Sequence, residues 1–98
     1  MIYVIATITA HPGRGDIIAG AAAACIEATL KEEGCLYYDL YRKTDNPDQL
    51  VFVEGWESCD HLQAHFGTAH IKAFGAAIAD AKLRSKVEIV HPEKVEIV

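Results

Sequence analysis

The side chains of this chain with most chemistry to offer crowd one stretch. Glu54, Trp56, His61, His65 and His70 fall within seventeen positions. Phe52, Glu54 and Trp56 alternate along an apolar run, and the two-residue period of a strand puts all three on one face. A carboxylate between two aromatics is costly to bury unpaired. Glu54 therefore either turns to an edge or a basic partner, or serves as a pocket acid that orients a histidine. His61 and His65 stand four apart and share a helix face. That spacing can bind a metal, with His70 as a third ligand. No His-Glu-x-x-His pattern or further ligand set accompanies it, so no metal is expected. His65, near the end of the helix after Trp56, is placed toward the pocket; a satisfied core histidine is the ordinary alternative. His61, in the first turn of that helix, is placed in solvent. His70 opens the next helix, where packing alone would explain it. Tyr38, Phe52, Trp56, Phe66 and Phe74 are core residues by default. There is no Gly-x-Ser-x-Gly, and His11-Pro12-Gly13-Arg14-Gly15-Asp16 lacks the spacing of a phosphate loop.

These residues need elements to position them. Tyr3–Thr9 is β-branched and aromatic and ends at His-Pro-Gly, as a strand does. Arg14–Glu32 repeats Ile18, Ala22, Cys25 and Thr29 at helical spacing, with Asp16 in its first turn and Gly34 as its stop. Leu36–Arg42 and Gln49–Glu57 flank the polar turn Thr44–Asp48 and make a hairpin. Ser58 caps a short helix to Phe66, Gly67 breaks it, and Thr68 caps another to about Lys82. Leu83–Val98 reads as one or two strands interrupted at His91-Pro92. Within it Lys86-Val87-Glu88-Ile89-Val90 recurs as Lys94-Val95-Glu96-Ile97-Val98, the mark of a long edge strand, part of which leaves the monomer. The order β-α-β-β-α-β is that of the ferredoxin-like split βαβ fold, an α+β architecture with an antiparallel sheet. Val51 and Val53 make the second face of the hairpin strand apolar as well. Helices on one side leave that face bare, so a sheet-to-sheet homodimer is expected.

Composition bounds the function. Ninety-eight residues form one domain (1–98), 51% hydrophobic and 23% charged, with a net charge of -5. Scattered basic residues in an acidic chain exclude a nucleic-acid or anionic-membrane partner. Three cysteines without a Cys-x-x-Cys read as reduced thiols in a cytoplasmic protein. The longest apolar helical stretch, Ile17–Ile26, is far short of the roughly 20 residues of a membrane span.

Taken in order, Val4-Ile5-Ala6-Thr7-Ile8 with Pro12-Gly13, Leu30-Lys31-Glu32-Glu33-Gly34-Cys35 with Tyr38, Glu54-x-Trp56-Glu57-Ser58, His61-Leu62-x-Ala64-His65, Thr68-x-His70 and Phe74 resemble the antibiotic-biosynthesis-monooxygenase (ABM) domain family. The resemblance covers nearly the whole chain and is nearest to the small bacterial quinol monooxygenases. It implies a dimeric α+β barrel that oxygenates phenols or quinols with dioxygen and no metal, haem or flavin. On that reading His65 is the general base and Glu54 its orienter, and Trp56, Phe52, Tyr38, Phe66, His70 and Phe74 hold a small aromatic substrate. The haem-degrading branch of the family has an Asn on the first strand, a Trp in the second helical region and a His in the last helix. Thr7, His65 and Gly75 stand near those places here, so that match fails. Two alternatives remain open. One is an isomerase of a small carbonyl compound, for which Arg42 and Lys72 are the available cations. The other is a non-enzymatic ligand-binding or accessory dimer.

Overall fold

The computed structural model describes all of residues 1–98, in the order β1 (Ile2–Ala10), α1 (Gly15–Thr29), β2 (Cys35–Lys43), β3 (Asn46–Trp56), α2 (Cys59–Phe66), α3 (Ala69–Ile78) and β4 (Lys82–Val90). The strands form one antiparallel sheet ordered β2-β3-β1-β4. This is the expected ferredoxin-like α+β architecture, with its helices packed on one face. Register sorts the side chains by face. Ile2 pairs with Trp56, Val4 with Glu54, Ala6 with Phe52 and Ile8 with Leu50, and Tyr38 pairs with Glu54 across the hairpin. All of these point toward the helices. Ile18, Ala22 and Cys25 of α1, Leu62 of α2, and Phe74 and Ile78 of α3 close the core over them.

The opposite face carries Tyr3, Ile5, Val51, Val53, Tyr37 and Tyr41, none of them fully buried. Ile5 and Tyr41 are exposed, as are Val87, Ile89 and Val90 of the edge strand β4. No helix is long and apolar enough to cross a membrane.

Local chemistry sets the ends. Ser58 Oγ accepts from the His61 backbone N–H, and Thr68 Oγ1 accepts from that of Ile71, so α2 and α3 start at their expected caps. The start of α1 is held from a distance instead. Both oxygens of Asp48 accept backbone N–H groups, from Gly13 and Gly15, at 2.9 Å each. Those bonds hold the Asp48 carboxyl below its ordinary pKa.

Four boundaries differ from expectation, the first being β3, which begins at Asn46 inside the expected turn Thr44–Asp48. Helix α1 ends at Thr29, which leaves Glu32 in the turn before Gly34; Gly34 has a φ of 82°. Helix α3 ends at Ile78, and Lys82 already belongs to β4. Only the first Lys-Val-Glu-Ile-Val copy is a strand; His91–Val98 has no regular structure.

Candidate functional site

On the helix side of the sheet a cavity of about 270 Å³ opens between β1, β4 and α3. Tyr38, Phe52, Phe66 and Phe74 line it together with Val4, Ile8, Ile71 and Ile78; Glu54 and His65 join Tyr38 as its buried titratable groups, and Lys82 and Lys86 reach it from β4. Four of the expected substrate-contacting residues thus meet at one place. Trp56 and His70 do not line it. Trp56 is fully buried behind the cavity, its ring 4.8 Å from that of His65. His70 lies on the far side of His65, beside Ala73 and Phe74.

The hydrogen bonds redistribute the expected roles. His65 is 1% exposed, and its Nδ1 lies 2.6 Å from Glu32 Oε2. A carboxylate oxygen accepts, so Nδ1 carries the hydrogen and Nε2 holds the lone pair. Nε2 has no hydrogen-bond partner within the protein, yet no sealed-off polar side-chain atom is left unpaired. Nε2 is therefore the ring's open nitrogen, in a residue that lines the cavity. The orienting carboxylate is Glu32 and not Glu54, which corrects the expected pairing. Glu54 Oε1 instead accepts from Trp56 Nε1 at 2.9 Å. The strand geometry explains the change: residues two apart on β3 share a face, and Trp56 supplies the partner that Glu54 needs to be buried.

The same Glu32 oxygen also receives His70 Nε2, at 2.7 Å. One carboxylate in the turn after α1 thus ties the end of α2 to the start of α3. Neither spacing nor periodicity marks Glu32 in the sequence, since its partners lie 33 and 38 residues away. The only hint is an acid pair before a glycine, and Glu33, the other member, is almost fully exposed.

Burial perturbs all three buried cavity groups. It pushes Glu54 up from 4.5 to about 7; the Trp56 bond opposes the rise and the charge of Glu32 adds to it. It lowers the pKa of His65, against the opposing pull of Glu32, and so favours the neutral imidazole. The Tyr38 hydroxyl is pushed strongly upward by burial and stays protonated. His61, expected in solvent, is half-buried. Its Nδ1 lies 2.8 Å from Ser58 Oγ, and its ring packs where a Cβ on Gly34 would stand. It belongs to neither the cavity nor the Glu32 cluster.

The chain thus joins a ferredoxin-like α+β sheet to an aromatic-lined cavity with a carboxylate-backed histidine in its wall. The chain belongs to the antibiotic biosynthesis monooxygenase (ABM) family, whose model matches residues 1–77. It is 33% identical to the probable quinol monooxygenase YgiN of Escherichia coli (strain K12), over 94% of this chain and 98% of that protein. Among solved structures, Rv0793 of Mycobacterium tuberculosis superposes with a TM-score of 0.87 at 28% identity, covering 96% of both chains. PA3566 of Pseudomonas aeruginosa gives 0.87 at 26% identity, over 95% of this chain and 94% of that one.

Proposed function

We propose that the protein oxygenates quinols or related polyphenols with dioxygen, without a bound cofactor, and that His65 is the general base. One observation carries the reading: a histidine with Nδ1 tied to Glu32 and Nε2 open, in the wall of a cavity lined mainly by apolar and aromatic groups. The family membership and the likeness to YgiN support it.

The chemistry needs little from the protein beyond binding and a base. His65 Nε2 takes the proton of one quinol hydroxyl, while Glu32 stabilises the imidazolium that forms. Glu54, with a pKa near neutrality, receives the hydrogen of a second hydroxyl in its ionised form. The electron-rich anion passes one electron to dioxygen, and the resulting radical pair combines into a carbon–oxygen bond. The His65 imidazolium returns its proton to the peroxide anion, and loss of water from the hydroperoxide, with the hydrogen of the same carbon, leaves a carbonyl. One oxygen atom stays in the product and the other leaves as water, so four electrons leave the substrate and four reach dioxygen. The apolar wall keeps water from the radical pair.

A homodimer is part of the same proposal. The bare apolar sheet face supplies the contact surface, and a second sheet would cover it.

Oxygen uptake by chelator-treated protein, across a panel of hydroquinones and polyphenols, tests the reading. Enzyme-dependent uptake above autoxidation is the expected outcome. Binding of small aromatics without uptake would replace the oxygenase by a binding module.

A further inference from the structure

We propose that Glu32, His65 and His70 form a binding site for a divalent transition-metal ion of the zinc type, and that its occupancy switches His65 off as a base. Three donor atoms converge from three separate elements: His65 Nδ1 from α2, His70 Nε2 from α3 and Glu32 Oε2 from the turn after α1. All lie within 4.8 Å of one another. Two imidazoles and one carboxylate are a set that zinc takes with a fourth position open to water.

The three donors converge on one point, and side-chain adjustment brings them to the distances such an ion needs. Tetrahedral bonds of about 2.0–2.1 Å place neighbouring donors about 3.3 Å apart. Glu32 Oε2 stands 2.6 and 2.7 Å from the two nitrogens, so the carboxylate has to withdraw by roughly 0.6 Å to admit the ion between them. The donor nitrogens of the two imidazoles, up to 4.8 Å apart, have to close by up to about 1.5 Å to reach the same distance. Glu32 lies in a turn, and the side chain of His70 is 24% exposed, which provides both the adjustment and an entry path. His61, one helical turn before His65, takes no part; it is held by Ser58.

The functional consequence follows from the tautomer. Without metal, Nδ1 carries the hydrogen and Nε2 has the free lone pair. A metal ion on Nδ1 displaces that hydrogen bond, and the neutral ring then carries its hydrogen on Nε2. Such a ring donates toward the cavity and cannot accept a proton from a substrate. This inhibition rests on the reading of His65 as the base, whereas the site itself does not.

Calorimetric titration of the full chain with zinc chloride, in a buffer that does not chelate, tests the site directly. The expected result is one equivalent per chain. Removing a ligand should cost at least the roughly 10–100-fold that loss of a mere supporting contact costs, so His70→Ala and Glu32→Gln should each weaken binding by tenfold or more. The double variant His11→Ala/His91→Ala should bind as the wild type does. Carbon-detected histidine ring resonances of the wild-type protein give a readout independent of variant folding. Zinc should shift His65 and His70 and leave His61 in place. Equal affinity in His70→Ala, or shifts confined to His11, His61 or His91, would overturn the site. Zinc should also abolish oxygen uptake. Stoichiometric binding at His65 and His70 with uptake unaffected would overturn the switch and leave the site standing. If no quinol supports uptake at all, the binding result still decides the site.

Discussion

At the scale of single residues, Glu54 yields a prediction that needs no substrate. Its folded-state pKa of about 7 stands above the ordinary 4.5, so the folded protein holds this proton more tightly than the unfolded chain. The stabilisation this gives is complete below about pH 4.5 and is lost as the pH rises through 7, by about 3 kcal/mol at most. Glu54→Gln keeps a carbonyl for Trp56 Nε1 and has no such loss. Its thermal midpoint should therefore gain on the wild type between pH 5 and 8, as read by circular dichroism. Parallel pH profiles would mean that Glu54 is not held protonated by burial. The sequence already placed Phe52, Glu54 and Trp56 on one face, because strand periodicity depends on neighbours alone. It did not disclose Glu32 as the partner of His65, because that contact depends on how three helix ends meet. The misplacement of His61 has the same source: helical spacing gives the face it shares, not the turn that comes to rest on it.

At the scale of elements, the turn from α1 to β2 is the part on which the site depends. Gly34 sits at a φ of 82°, and a Cβ there would stand 2.2 Å from His61 Cγ. Gly34→Ala should therefore cost about 1–3 kcal/mol from the backbone and the clash together, measurable as a lower urea midpoint. Adding His61→Ala should restore the part due to the ring, a coupling that a double-mutant cycle isolates. Full additivity would mean that the ring and the turn do not press on each other. The strands, the hairpin and both capped helices were legible, since caps and periodicity are local signals. The early end of α1 was not, because residues 30–34 trade helix for a turn whose purpose is a distant contact.

At the scale of the whole molecule, the bare sheet face argues for pairing. A chain of 98 residues with only 20 of them buried is short of core, and Tyr3, Ile5, Val51 and Val53 offer more. Sedimentation equilibrium at micromolar concentration should return about twice the 10.7 kDa chain mass. Val53→Lys should return the single mass, because an unpaired charge between two sheets costs several kcal/mol. A wild-type monomer that persists at that concentration would contradict the pairing. Here the sequence was informative through the two apolar faces of β3, although alternation alone does not say what covers the second.

The proposed oxygenation depends on His65, and oxygen consumption by His65→Ala, corrected for the autoxidation of the quinol, tests that dependence most directly. Loss of a general base costs roughly 10²–10⁴-fold in turnover. With its buried ring replaced by a methyl group, the variant should remain folded by circular dichroism, still bind the quinol, and consume oxygen at least about a hundred-fold more slowly than the wild type. A folded His65→Ala protein that turns over quinol at close to the wild-type rate would contradict the assignment of the base, and with it the role given to Glu32.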